Sequence, residues 1–248
     1  MAGQESLISV IIPAFNSEHY LDQAIESVLA QTYQPVEIIV INDGSTDGTD
    51  AAAQQFIPKI RYYNQPNKGL GATRNRGVEL AQGTFLAFLD ADDIWLADKL
   101  EHQITLFIDD PDLDMAFGYA IQFFSPELNE ELIEKLTITD EVLPGYFAGT
   151  LVIKRESFLS VGYFDTDWRV GEFIDWYCKA QTLNLKAALL PEVVLRRRIH
   201  DANMGIRERE HQTDYAYILK AALDRRRKTS APQENPKDQN IERSKSSS

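Results

Sequence analysis

The segment Thr84-Phe-Leu-Ala-Phe-Leu-Asp-Ala-Asp-Asp-Ile-Trp95 constrains this chain more than any other. Its apolar run, without polar alternation, predicts a strand buried on both faces of a sheet. Asp90, Asp92 and Asp93 follow directly, and clustered carboxylates are not buried without partners, so we place them at the carboxyl end of the strand. In an open α/β sheet that edge binds ligands, and an Asp-x-Asp pair can hold a hard divalent cation beside phosphates. For the three acids alone, the alternative is a polar turn with Asp93 capping the next helix.

Apolar runs alternate with helical patterns through the first half of the chain. Predicted strands are Leu7–Pro13, Val36–Asn42, Ile60–Tyr63, the run that ends at Asp90, and Met115–Tyr119; predicted helices are Tyr20–Leu29, Ala51–Phe56, Leu70–Gln82 and Ala97–Ile108. Short loops between strand and helix are typical of a doubly wound, mostly parallel sheet with right-handed connections. We therefore predict an α/β fold of this kind for residues 7–120.

The second half of the chain has a less regular pattern. It predicts helices over Pro126–Leu136 and Gly171–Leu183, a strand over Gly149–Arg155, and two short apolar stretches within Ala187–Arg198, split by Pro191. We assign residues 1–224 to one domain, with a smaller irregular region over 121–200. Residues 225–248 are rich in Lys, Arg, Ser, Gln and Asn, which predicts a disordered polar tail.

Composition excludes several classes of protein. The net charge of −13 argues against general nucleic-acid binding. Cys178 is the only cysteine, so no internal disulfide can form and a reducing, cytoplasmic setting is expected. No secretory signal and no transmembrane segment are predicted.

Residues 225–248 carry seven basic and three acidic side chains, a net +4, which leaves −17 for residues 1–224. The basic run Arg225–Lys228 is either a solvated helix end or a peripheral contact with the inner membrane face or a partner.

Polar residues follow the other strong strands as well. Two further predicted strands end in the segments Pro13-Ala-Phe-Asn16 and Asn42-Asp-Gly-Ser45. We expect these strand ends to line the same crevice as Asp90. A rigidly held Asp43 can accept from a base N–H or a ribose hydroxyl, or it can bond its own turn. Arg74 lies on the predicted helix face that packs on the sheet, where it can meet a nucleotide or form a structural ion pair with Asp43 or Asp90.

Four motifs in register resemble family 2 glycosyltransferases of the GT-A fold, over about residues 6–200. They are Val10–Asn16, Ile41–Asp47, Asn67-Lys-Gly69 with Ala72-x-Arg74-Asn75-x-Gly77, and Phe88–Asp93. The resemblance implies an inverting transfer of a sugar from a nucleotide-sugar, such as a UDP-sugar, with Mg²⁺ or Mn²⁺. It implies a donor-binding half over 7–120 and an acceptor-side half over 121–200. The implied donor-binding residues are Pro13, Ala14, Asn16, Asp43, Gly69, Arg74 and Asp90.

The resemblance also implies a metal site. By position, Asp92 matches the principal metal ligand of the family, and Asp90 matches a ribose or metal contact. His200 follows the Arg196-Arg-Arg-Ile199 segment, where many family members carry a histidine that joins the metal. A structural role for His200 is the alternative.

The catalytic base is where this sequence departs from the family. Members usually carry Gly-Glu-Asp-x-Asp at the start of a late helix, and the Asp after Glu is the base. Here the segment is Gly171-Glu-Phe-Ile-Asp-Trp176, with Phe173 at the base position. We predict Glu172 as the base, favoured in ionised form by the helix dipole, with Asp175 as the second candidate. The alternative is that both acids only cap and solvate a surface helix.

Two functions therefore compete. The first is sugar transfer to an acceptor of unknown identity: a glycan, a lipid-linked sugar or a peptide. The second is a catalytically silent relative that binds the donor and acts as an interaction module. A dinucleotide oxidoreductase is disfavoured because no Gly-x-Gly-x-x-Gly follows the first strand.

Overall fold

A nine-stranded mixed sheet forms the centre of the molecule. The computed structural model describes residues 6–128, 142–201, 203 and 213–230. The strands are β1 (Ile8–Ala14), β2 (Val36–Asn42), β3 (Arg61–Asn64), β4 (Phe85–Phe88), β5 (Ile94–Trp95), β6 (Met115–Phe124), β7 (Leu143–Pro144), β8 (Val152–Lys154) and β9 (Ala187–Ile199). The helices are α1 (Leu21–Leu29), α2 (Thr49–Gln54), α3 (Leu70–Leu80), α4 (Lys99–Asp109), α5 (Arg155–Val161), α6 (Glu172–Thr182) and α7 (Thr213–Ser230), with a 3₁₀ turn over Ala148–Thr150.

The sheet order confirms the predicted α/β class. The strands run in the order β3-β2-β1-β4-β8-β6-β9-β5, with β7 paired to β6. β1 to β4 are mutually parallel, and β6 and β9 point the same way, since β8 is antiparallel to both β4 and β6. One feature was not predicted: β8, which comes from the second half of the chain, lies between β4 and β6.

Each face of the sheet carries its own hydrophobic core. Ile8, Val10 and Ile12 of β1 pack on one side with α1 and α4, while Ile11 packs on the other with α3 and α6. This is the strand alternation of period two, with both faces buried. It explains why β1 reads as a continuous apolar run.

Two glycines of α3 and its entry loop are required by geometry. A Cβ on Gly77 would lie 2.3 Å from Cγ2 of Ile11, so α3 can approach β1 this closely only without a side chain there. Gly69, which precedes α3, has a φ of 87°. These glycines fix the position of α3, which carries Arg74.

The second half departs from prediction in three places. The strand predicted over Gly149–Arg155 is a 3₁₀ turn followed by the short β8. The two stretches split by Pro191 form one strand, β9, because the register against β6 shifts between Phe117 and Tyr119 and leaves Pro191 in an irregularity. Of the helix predicted over Pro126–Leu136, residues 126–128 are not helical and 129–136 lie outside the described residues.

The predicted start of the tail was wrong. α7 continues through Arg225 to Ser230, because Ile218 is buried against the rest of the protein and Arg225 donates to Oδ1 of Asp175 at 2.9 Å. Composition alone could not reveal this packing. The remaining tail residues, 231–248, lie outside the described part. In the segments that the structure covers, neither α7 nor any other helix has the length and apolar character needed to cross a bilayer.

A buried lysine lies at the start of α4. Lys99 is inaccessible to solvent, with Nζ 4.1 Å from the centre of the Trp95 ring and 2.6 Å from Oε1 of Gln103. Burial lowers the pKa of Lys99 well below its ordinary 10.5. Between the folded and the unfolded pKa, the unfolded chain binds a proton that the folded chain does not, so the free energy of unfolding rises with pH.

We therefore expect the stability of the wild type relative to Lys99→Met to depend on pH. The quantity compared is the free energy of unfolding of the wild type minus that of Lys99→Met. Between the lowered pKa of Lys99 in the folded protein and 10.5, this difference should rise by about 1.4 kcal/mol per pH unit. Chemical denaturation at two pH values in this window measures it, and the exposed Lys59→Met serves as control. A difference between wild type and Lys99→Met that stays constant with pH would contradict the expectation.

Candidate functional site

The loops that follow β1 and β2 are joined by reciprocal hydrogen bonds. Pro13 and Ala14 end β1. The N–H of Asn16 donates to Oγ of Ser45, and the N–H of Thr46 donates to Oδ1 of Asn16, both at 2.9 Å. Asn16 has a φ of 49°, a left-handed conformation that asparagine tolerates better than most residues. The predicted donor-binding residues at these two strand ends thus belong to one connected edge.

Asp43 organises the loop that leads into α3. Its buried carboxylate accepts from the N–H groups of Lys68 and Gly69, each at 2.9 Å, and from the side chain of Gln65 at 2.8 Å. It therefore bonds neither its own turn nor Arg74. A carboxylate held this way has a fixed position at the crevice, and its contact with a donor remains a prediction.

Arg74 forms an ion-pair cluster with two other predicted site residues, Asp90 and Glu172. Its guanidinium, with a side chain only 3% exposed, donates to Oδ1 of Asp90 at 2.6 Å and to Oε1 of Glu172. The predicted ion pair with Asp90 is present, and the partner on α6 was not foreseen. Arg74 thus links the end of β4 to the start of α6 in the interior of the protein.

The two predicted base residues differ in how many of their oxygens are engaged. Glu172 is buried and pairs with Arg74 through Oε1, and no residue in the described segments donates to its Oε2. Asp175 is also buried, but Oδ1 accepts from Arg225 and Oδ2 lies 2.6 Å from Nζ of Lys179. The structure therefore places Asp175 against α7 and Glu172 against the Arg74 cluster.

Phe173, at the position where the family carries its base, belongs to the core. It is buried and stacks on Trp176 and Tyr177, with an interplanar angle of 8° to Tyr177. A carboxylate in this place would lose that aromatic packing and would need a partner. A phenylalanine in place of the family's aspartate therefore fits the aromatic packing around position 173.

Asp92 and His200, the predicted metal ligands, are in contact. Nε2 of His200 lies 2.9 Å from Oδ2 of Asp92, and Asn203 donates to the same oxygen from 3.2 Å. His200 is buried, whereas the Asp92 side chain is 26% exposed. Among the residues the structure describes, no three His, Cys, Asp or Glu side chains form a ready-made cation site. A cation here would need further oxygen ligands.

Arg198 fixes the end of β9 against the acidic segment. Its N–H donates to Oδ1 of Asp93 at 2.8 Å, its Nε donates to the carbonyl of Asp92 at 2.9 Å, and its guanidinium lies 4.8 Å from the centre of the Tyr20 ring. Burial, followed by the charges of Asp92 and Asp90, raises the pKa of Asp93 well above its usual range. Arg198 therefore joins the end of β9 to the segment Asp92–Asp93 and to Tyr20.

The clusters meet at the end of β4. Asp90 belongs to the Arg74 cluster and Asp92 to the His200 contact, while Asp43 holds the loop from which α3 and Arg74 start.

Sequence reasoning missed Asn203 and Gln65, and it missed the role of Arg198. The spacing His200-Asp-Ala-Asn203 was the available signal for Asn203, because the side chain of an asparagine three residues later can accept a hydrogen bond from the histidine N–H. In the structure, the N–H of His200 donates to Oδ1 of Asn203 at 2.7 Å. The arrangement offers two partly exposed carboxylates, Asp90 and Asp92, the imidazole of His200, and one oxygen of Glu172 to which no described residue donates.

Comparison with known proteins identifies the family of this chain. The family model for glycosyl transferase family 2 matches residues 9–159. An uncharacterized glycosyltransferase of Rickettsia typhi is 34% identical over 209 residues, which cover 79% of this chain and 65% of that protein. The Escherichia coli enzyme WfgD, a UDP-Glc:α-D-GlcNAc-diphosphoundecaprenol β-1,3-glucosyltransferase, is 42% identical over 104 residues, 41% of each chain. This chain thus spans less than two thirds of the length of either relative.

Two solved structures show the same fold. TarS of Staphylococcus aureus in complex with UDP-GlcNAc matches with a TM-score of 0.68 at 20% identity, covering 92% of this chain and 68% of TarS. A mannosyltransferase of Pyrobaculum calidifontis in complex with GDP-Man and Mn²⁺ matches with a TM-score of 0.65 at 18% identity, covering 94% of this chain and 67% of that one. The sheet is of the GT-A type, and the chain belongs to glycosyl transferase family 2.

Proposed function

We propose that this protein is an inverting glycosyltransferase that moves a sugar from a UDP-sugar to an acceptor hydroxyl, assisted by a divalent cation. The observation that carries the proposal is the contact between Asp92 and His200 at the end of β4, beside the Arg74 cluster. WfgD uses UDP-Glc and TarS was solved with UDP-GlcNAc, which supports a uridine nucleotide.

The donor set at Asp92 fits Mg²⁺ or Mn²⁺. These ions accept carboxylate oxygens and commonly take their remaining ligands from substrate phosphates and water. Carboxylate oxygens suit Mg²⁺ and Mn²⁺ better than imidazole does, so Asp92 would be the stronger ligand and His200 the weaker one. Asp92 and His200 would hold the ion, and the related mannosyltransferase was solved with Mn²⁺. When bound, the cation would neutralise charge on the leaving diphosphate.

Glu172 is the proposed general base. Arg74 holds it through Oε1, and Oε2 is the atom available to take the proton of the acceptor hydroxyl. The hydroxyl oxygen then bonds to the anomeric carbon while the bond to the diphosphate oxygen breaks, and attack from the face opposite the leaving group inverts that carbon. Asp175 supports this by attaching α6 to α7 through Arg225.

The second candidate is a catalytically silent protein that binds the donor and acts as an interaction module. The burial of Phe173 in place of the usual carboxylate favours it, because the structure keeps no charge at that position. In this case Glu172 only anchors Arg74.

Release of nucleoside diphosphate tests the two candidates. Purified protein is incubated with UDP-Glc, UDP-GlcNAc or GDP-Man, with Mn²⁺, and with soluble glycan, lipid-linked sugar or peptide acceptors. Diphosphate release that depends on the cation and is lost in Asp92→Ala supports the transferase. Donor binding by calorimetry, without turnover on any acceptor, supports the silent relative. Since WfgD acts on a diphosphoundecaprenol-linked sugar, a lipid-linked sugar is the acceptor class to test first.

A further inference from the structure

The outer surface of α7 combines exposed leucines with basic side chains. Leu219 and Leu223 lie one helical turn apart and are 56% and 55% exposed. Lys220 and Arg227 flank them on the same helix, and the Arg227 side chain is 80% exposed. We call the four residues Leu219, Lys220, Leu223 and Arg227 the α7 outer surface.

This surface is not the one that attaches α7 to the protein. Ile218 is buried and Arg225 pairs with Asp175 of α6. These two residues are seven apart and therefore lie on the same face of the helix. At about 100° per residue, Leu219 and Leu223 lie on a different side of α7 from that face. Packing on α6 thus leaves both leucines exposed in the part of the protein that the structure describes.

The charge of the surface is opposite to that of the rest of the molecule. Residues 1–224 carry a net −17, whereas residues 225–248 carry a net +4. Lys220 forms no ion pair with any residue the structure describes, and Arg227 reaches Asp224 only at 3.8 Å. Basic residues in a last helical turn complement the helix dipole, but the dipole explains neither Lys220, which precedes that turn, nor the exposed leucines.

We propose that the α7 outer surface docks this protein on a bilayer that contains anionic phospholipids. Leucines on one side of a helix, flanked by Lys and Arg, insert into the acyl boundary while the cations contact lipid phosphates. A bilayer is chosen over a protein partner because of the charge pattern. An anionic membrane repels the acidic body and attracts this helix, so the protein has one favoured orientation.

The orientation has a consequence for the reaction, which rests on the proposed function. α7 begins beside the start of α6, where Tyr215 and Ile218 would contact a Cβ on Gly171, the residue before Glu172. Docking through α7 therefore brings the acceptor side of the crevice close to the bilayer. An acceptor whose sugar is attached to a membrane lipid would then reach Glu172 without leaving the membrane.

Sedimentation with vesicles tests the docking surface in the full-length protein. We use vesicles of phosphatidylcholine alone and of phosphatidylcholine with phosphatidylglycerol. The wild type should bind only the anionic vesicles, and less in high salt. Two double variants test the surface: one carries Leu219→Gln and Leu223→Gln, and the other carries Lys220→Glu and Arg227→Glu. Each should lower the fraction of protein bound to anionic vesicles about tenfold or more. The matched controls are Ile108→Gln, an apolar residue of α4 that is 71% exposed, and the exposed Lys59→Glu.

UDP affinity is measured in every variant and should not change, because no residue of the α7 outer surface belongs to the donor site. Loss of vesicle binding with normal UDP affinity supports the docking surface even if no transferase activity is found. Equal binding to both vesicle types, control variants that bind as poorly as the α7 variants, or a wild type that stays in solution with all vesicles would overturn the proposal. A dimer in solution that the leucine variant converts to monomer would identify a self-interface instead.

Discussion

Asp92→Asn is expected to lower sugar transfer by about 10²–10³-fold, because the loss of an anionic ligand weakens the binding of the cation that would neutralise the developing charge of the diphosphate. Asparagine keeps the shape of the side chain and an oxygen that can face His200, which lies 2.9 Å from Oδ2 of Asp92. The substitution therefore removes an anionic ligand without opening a cavity. We expect the fold to be intact and the enhancement of UDP binding by Mn²⁺ to disappear.

Calorimetry of UDP binding with and without Mn²⁺ measures this directly. Asp112→Asn, an exposed acid before β6, controls for the general loss of a charge. His200→Gln should weaken the cation effect less than Asp92→Asn, because it removes a neutral ligand rather than a charge. If Asp92→Asn binds UDP with Mn²⁺ as tightly as the wild type, Asp92 is not a cation ligand in this protein.

The fold of residues 7–120 follows from local sequence patterns. β1, β2 and β4 are buried on both faces and therefore appear as continuous apolar runs, each followed at once by polar residues. Because the carboxyl ends of parallel strands meet at one edge, the sequence pattern was enough to assign Asp43 and Asp90 to one crevice. The resemblance to the family implied that Asp92 and His200 bind the same metal ion, and the structure brings the two side chains into contact.

What the sequence could not reveal are contacts between residues far apart in the chain. Arg74 and Glu172 are 98 positions apart, and nothing in either segment indicates that one pairs with the other. The insertion of β8 between β4 and β6 is likewise a matter of long-range pairing, and three residues carry too little pattern to predict it. Residues 225–230 are helical and Arg225 pairs with the distant Asp175, whereas the local composition favoured disorder.

Glu172 shows how such a contact changes the interpretation of a single residue. From the sequence it was a helix-start carboxylate one position from the family base. In the structure it is also the anchor of Arg74, which in turn holds Asp90. One side chain can serve both purposes, since Oε1 engages Arg74 and Oε2 has no partner within the described residues. The two roles predict different effects of different substitutions.

Glu172→Gln is expected to lower turnover by about 10²–10⁴-fold and to leave UDP affinity unchanged. Glutamine keeps a carbonyl oxygen for Arg74 but cannot take a proton from the acceptor. Glu172→Ala removes both functions and leaves the buried guanidinium with Asp90 alone, so UDP affinity should fall as well. Asp175→Asn should have the smaller effect on turnover, because both oxygens of Asp175 are engaged with Lys179 and Arg225.

Single-turnover rates and UDP calorimetry on these variants separate the two roles of Glu172. A Glu172→Gln variant that transfers sugar at the wild-type rate, beside a Glu172→Ala variant with weakened UDP binding, would make Glu172 an anchor only. A larger loss of turnover in Asp175→Asn than in Glu172→Gln would make Asp175 the base, which would require it to be released from Arg225 in the reacting enzyme. The comparison is decisive because glutamine preserves the anchor and removes only the capacity to accept a proton.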